Sequence, residues 1–165
     1  MKPYLLLVDF EAETDTDGRM FPVEIGICPP GKAPKSALIR PIADWQIDHT
    51  KIFNNGLWDQ AREHGLDAAS LARQVHALAE RYTLVSDAVF IDGPLLDRLM
   101  STTSHGYKSE MVEFFPLLQR LADERGISRD QLNKWIAEID EKRGTAHRAG
   151  EDARVRAELL ARVLN

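Results

Sequence analysis

What most constrains this chain is an abrupt change of chemistry inside one short segment. Leu5-Leu6-Leu7-Val8 runs straight into Asp9, Glu11 and Glu13. Such an apolar run, bounded by polar chain, reads as a strand covered on both faces and so demands further layers packed above and below it. Side chains alternate along a strand, so Asp9 and Glu11 project from the same side of its end. Two carboxylates about 4 Å apart repel by roughly 4 kcal/mol at an effective dielectric near 20, so this pair calls for something positive beside it. On this segment alone a plainer reading stays open, in which Glu11, Glu13, Asp15 and Asp17 form a solvated turn and Asp9 is a satisfied strand end.

The rest of the chain supplies the layers. Residues 4–10 read as the first strand and 21–27 as its partner, with the Asp17-Gly18 turn signal between them predicting a hairpin. Residues 36–42 read as a third strand. From Leu66 the period becomes helical through Leu71, Val75 and Leu78, with Asp67 as N-cap. Residues 82–91 return to strand, and a short helix follows with Pro94 in its first turn. Residues 111–126 combine a short strand with a helix ending near Gly126. Ser128 and Gln131 form a capping box for the next helix, and the last helix spans about Ala149 to Leu164. Alternating helices and strands after an opening hairpin predict an α/β fold, a mixed sheet with helices packed on it.

Length and composition fit one domain over residues 1–165, with 44% hydrophobic and 28% charged residues. Cys28 is the single cysteine and cannot form an intrachain disulfide. No eighteen-residue apolar run exists, so a reducing, soluble, cytoplasmic setting is expected. The net charge of −5 excludes a broad basic field for a polyanion. Any nucleic acid must be held locally, by a few basic side chains or by cations.

Two further acidic patterns compete for attention. Glu13, Asp15, Asp17, Gly18 and Glu24 fall at positions one, three, five, six and twelve of an EF-hand calcium loop, but the flanks read as strands and Pro22 interrupts the loop. In the terminal helix, Val155, Leu159 and Val163 form an inward stripe, and Asp152, three residues before Val155, sits at its head. A buried ionised Asp is costly unless it is capped, paired or bound to a metal. His147 precedes it by five residues, about 140° around an ideal helix, and belongs to the loop before it.

With these residues in view, the chain resembles the DEDDh exonucleases of the DnaQ-like superfamily, on the ribonuclease H-like fold. "VDFE" is similar to their first motif, DxE on the first strand, and "HRAGEDA" to their third, HxAxxDA. A tyrosine-type relative would carry Tyr where Arg148 stands. The second motif, often HNxxFD, is looser here. "SDAVFIDGPLLDRLM" resembles an SDAxxxD variant with Asp92 as the acid and Asp97 as its rival. "REHGL" (62–66) resembles the family's HGI segment.

The resemblance implies a ribonuclease H-like mixed sheet flanked by helices. It also implies that Asp9, Glu11, Asp92 and Asp152 hold two divalent cations, Mg²⁺ or Mn²⁺, about 3.5–4 Å apart. His147 would be the general base for a water that attacks the 3′-terminal phosphodiester of short or single-stranded DNA or RNA, releasing a nucleoside 5′-monophosphate. Arg40, Lys51, Arg62, Arg143 and Arg148 are candidate phosphate contacts. Trp45, Phe53 and Trp58 are candidate stacking residues, or else packing. A catalytically silent nucleic-acid- or protein-binding module on the same fold and a calcium-binding loop protein stay open as alternatives at this level, as do the choice between DNA and RNA and the oligomeric state.

Overall fold

A computed structural model of the protein describes residues 4–14, 18–43, 45, 56–103, 110–141 and 148–165. The strands are β1 (Tyr4–Thr14), β2 (Met20–Cys28), β3 (Lys35–Arg40), β4 (Leu66–Asp67), β5 (Tyr82–Ser86) and β6 (Met111–Glu113). The helices are α1 (Leu57–His64), α2 (Ala68–Arg81), α3 (Val89–Met100), α4 (Phe114–Glu124), α5 (Arg129–Asp140) and α6 (Ala149–Leu164). One mixed sheet runs in the order β4-β3-β2-β1-β5-β6. β1, β2 and β3 form an antiparallel meander, while β5 joins β1 in parallel and β6 joins β5 in parallel.

Alternation along β1 divides the protein into two cores. Leu6, Val8 and Phe10 face a cluster that includes Trp58, Leu71, Val75, Leu95, Leu96 and Leu99 from α1, α2 and α3. Leu7 faces the opposite cluster, with Phe114, Leu118, Leu132, Leu159 and Leu160 from α4, α5 and α6. This is the doubly covered strand that an unbroken apolar run demands. Asp9 and Glu11 share the parity of Leu7, so they emerge on the α6 face of the sheet.

Several local expectations hold for the reasons given. Asp67 caps α2, accepting from the Ser70 backbone N–H at 2.7 Å, and Ser128 caps α5, accepting from Gln131 N–H at 3.2 Å. Three readings change. The strand expected over 82–91 ends at Ser86, because Ala88 N–H bonds back to the Ser86 hydroxyl at 2.9 Å and turns the chain into α3. Pro94 therefore lies inside α3 rather than in its first turn. α1 precedes the helical pattern that starts at Leu66 in the sequence and the two-residue β4 opens it, which adds two elements to the expected set.

Candidate functional site

The site is built where the C-terminal half of β1 meets the first turn of α6. Asp9 pairs across the ladder with Gly26 of β2, and Glu11 with Glu24. Paired residues on neighbouring strands share a face, so Gly26 and Glu24 also point at α6. A Cβ on Gly26 would lie 2.0 Å from the Ala149 carbonyl carbon and 2.3 Å from Gly150 N. Only glycine lets the backbone of α6 settle directly onto the sheet at this point.

An ion pair with one buried partner fixes the same helix end. Glu24, 1% exposed, accepts from Arg148 Nε at 2.9 Å and Arg148 Nη2 at 2.8 Å, a two-point fork, and from Ala149 N–H at 3.3 Å. The Arg148 carbonyl then accepts from Glu151 N–H and Asp152 N–H. With its start anchored in this way, α6 delivers Asp152, 7% exposed, to the acid pair on β1. Carboxylate oxygens of Asp9, Glu11 and Asp152 lie within 4.8 Å of one another.

Asp92 reaches the same place from the other side. It sits in the first turn of α3 rather than at the end of a strand, which corrects the sequence reading of its setting, and it is 2% exposed. Its carboxylate accepts from the Ser86 hydroxyl at 2.5 Å and from the backbone of Phe10, the residue between Asp9 and Glu11. Burial pushes its pKa up to about 6, against the pull of those two hydrogen bonds. Asp92 stands outside the 4.8 Å trio, yet after burial its charge is the largest cause of the shift at Asp9. Burial, Asp92, Asp152, Glu11 and Asp87 together push the Asp9 carboxyl up to about 9. Its rival Asp97 is exposed on the outer side of α3.

Three acids held this close, with buried Asp92 near Asp9, on rigid elements and with hard oxygen donors, fit a divalent cation of the Mg²⁺ or Mn²⁺ kind. Asp9 bears this out: without added positive charge its ionised form is strongly disfavoured.

The remaining expected residues divide. His147 lies outside the described residues, as do Lys51, Phe53, Arg143, Asp15 and Asp17. Trp45 and Trp58 are buried core residues, Trp45 against Phe21, and so are not stacking platforms. Arg40 and Arg62 are exposed, whereas Arg148 is committed to Glu24. The calcium-loop pattern loses its frame, since Glu13 and Glu24 lie on strands and Glu24 is held by Arg148. Sequence reasoning missed the anchoring roles of Glu24, Gly26 and Ser86. Only Ser86 carried a signal, as a hydroxyl residue at the strand end before a helix. Among the described residues, no helix is long and apolar enough to cross a membrane.

No family model matches this chain, and no curated protein matches it in sequence. Solved structures do match. The nuclease domain of 3'hExo, a DEDDh family member bound to rAMP, superposes with a TM-score of 0.65 at 14% identity, over 99% of this chain and 92% of that one. A 3'-exonuclease structure showing 3'-end specific recognition of histone mRNA stem-loop gives 0.65 and 14%, over 99% and 82%. E. coli Exonuclease I in complex with a dT13 oligonucleotide gives 0.57 and 14%, over 98% of this chain but 40% of that one. The chain is thus similar to DEDDh nuclease domains along nearly its whole length and has the ribonuclease H-like α/β fold of these exonucleases.

Proposed function

We propose that this protein is a divalent-metal-dependent 3′–5′ exonuclease acting on short or single-stranded nucleic acid. The observation that carries this reading is the convergence of Asp9, Glu11 and Asp152 within 4.8 Å at the end of the central strand, with buried Asp92 beside Asp9. Structural neighbours that are exonucleases support it, as does the absence of any other carboxylate, His or Cys group able to hold a metal among the described residues.

Asp9, Glu11, Asp92 and Asp152 would hold two Mg²⁺ or Mn²⁺ ions. When bound, the cations neutralise the scissile phosphate and supply Lewis-acid activation at the reacting centre. The chain's own residues do the rest. Ser86 and the Phe10 backbone orient the Asp92 carboxylate through hydrogen bonds to it. Glu24 and Arg148 fix the start of α6 and therefore the approach of Asp152. His147, next to Arg148 in sequence, accepts a proton from the attacking water as its oxygen bonds to phosphorus; the 3′ oxygen of the preceding nucleotide leaves, and a nucleoside 5′-monophosphate is released.

A groove along α3 supports a single-stranded substrate. Met20, Phe90, Ile91, Pro94, Leu95 and Arg98 line a space of about 280 Å³. Phe90 is 81% exposed, and Arg98 is held 4.4 Å over the Phe21 ring. An exposed ring and an oriented guanidinium suit unpaired bases and the backbone that carries them.

The test is release of mononucleotides from 5′-labelled DNA and RNA oligomers with Mg²⁺ or Mn²⁺, stopped by EDTA. A ladder shortening from the 3′ end is expected. Metal-independent cleavage, or none on either polymer, would sink the reading.

A further inference from the structure

Arg156 of α6 is 9% exposed, which for an arginine requires partners on every side. Its Nε donates to Asp87 Oδ2 at 2.7 Å and its Nη1 to Asp140 Oδ1 at 2.8 Å. Its guanidinium carbon lies 5.4 Å from the centre of the Phe115 ring and 6.0 Å from that of Phe114. The two carboxylate partners belong to different pieces of the site's framework. Asp87 follows Ser86, whose hydroxyl both orients Asp92 and accepts from Ala88 N–H to start α3. Asp140 ends α5, after which the chain runs toward His147 and α6. Arg156 itself is one turn beyond Asp152 on α6.

From this arrangement we infer that Arg156 is a positioning residue for the carboxylate cluster. It is the rod that sets the distance between Asp152 on α6 and Asp92 on α3. The two carboxylates belong to helices packed in different cores, α3 in one and α6 in the other. A lysine does not reproduce the two-edged grip of Arg156 on Asp87 and Asp140, because an ammonium is a compact point charge with rotatable donors and lacks the fixed planar geometry of a guanidinium.

The inference rests on the metal-site part of the proposed function, and its test does not need nuclease activity. Mn²⁺ binding to the full chain is measured by titration calorimetry, well below the melting temperature, for wild type, Arg156→Lys, Arg156→Met and Asp140→Asn. Loss of a group that orients metal ligands weakens affinity by about 10–100-fold, and that loss is expected for Arg156→Met, with Arg156→Lys between it and wild type. Asp140→Asn loosens only the half-exposed arm of that grip and should weaken Mn²⁺ affinity less than Arg156→Met does. On an oligonucleotide, Arg156→Met should lower kcat with KM unchanged.

If Arg156 merely holds the fold together, Arg156→Lys and Arg156→Met will melt earlier yet bind Mn²⁺ as wild type does, and the inference falls. Should Arg156→Met not fold, a wild-type affinity in Arg156→Lys overturns it equally. Wild type that binds Mn²⁺ but cleaves nothing refutes the exonuclease reading alone. Wild type that binds no Mn²⁺ overturns both.

Discussion

Replacing Asp9 by Asn should stabilise the metal-free protein, by an amount that depends on pH. In the unfolded chain Asp9 ionises near pH 3.8, whereas in the folded metal-free protein burial and the neighbouring acids hold its proton up to about pH 9. A group whose folded pKa is raised contributes its full stability below the unfolded value and loses it as pH rises toward the folded value. At pH 7 the folded protein therefore keeps a proton that the unfolded chain would release. Holding it costs at most about 4 kcal/mol, from 1.36 kcal/mol for each of roughly three pH units, with the upper bound set by the partial exposure of Asp9. Asn needs no proton. The variant should match wild type near pH 4, gain progressively through pH 7 and level off above pH 9. Thermal unfolding in EDTA across that range reads the effect directly, at about 2–4 °C per kcal/mol for a chain of this size. Mn²⁺ should reverse the order, since bound metal stabilises wild type by mass action and the variant lacks a ligand. A variant that melts below wild type at pH 7 in EDTA, or whose gain ignores pH, would show that Asp9 holds the fold together and that the reasoning about crowded acids is wrong.

The same raised pKa values predict that Mn²⁺ binding at pH 7 expels about one proton and tightens as pH rises, which calorimetry in buffers of different ionisation enthalpy would detect or exclude. Asp92→Asn should remove metal-dependent cleavage while Asp97→Asn keeps most of it, measured on one labelled oligonucleotide at saturating Mg²⁺; the reverse would move the site along α3. His147→Ala should slow turnover by about 10²–10⁴ with Mn²⁺ affinity nearly preserved, and a wild-type rate at neutral pH would remove it from the mechanism. Gly26→Ala should destabilise by about 1–3 kcal/mol or more, because the added methyl meets the backbone of α6. Unchanged melting would mean that the helix end yields freely.

Both ends of the site were legible because each is a local pattern. Asp9 and Glu11 follow from alternation on an apolar strand, and Asp152 from its place at the head of the Val155, Leu159 and Val163 stripe, all three of which are buried. What joins the ends was not legible. The Glu24–Arg148 fork, the bare Gly26 and the Arg156 tie to Asp87 pair residues far apart in sequence, and no period or spacing announces such pairs. The stretch 89–91 misled for a different reason. Val89-Phe90-Ile91 has the composition of a buried strand, but Phe90 is 81% exposed and the run opens a helix. Apolar residues that face solvent violate the assumption on which the strand reading rested. α1 buries only Leu57, Trp58 and Ala61, too sparse a stripe to stand out beside its charged residues.

The seating of α6 on Gly26 also orders events in time. Asp9 and Glu11 leave the ribosome with the first strand, and Asp152 leaves with the last helix. Closing so long a stretch of chain is among the slower steps a domain of this size takes, and the carboxylate trio does not exist until it is done. A partly made or partly folded chain thus has its acids apart and no place for a cation that depends on all three. Whatever chemistry the cluster performs is switched on by completion of the fold, and metal binding reports that the final helix has docked.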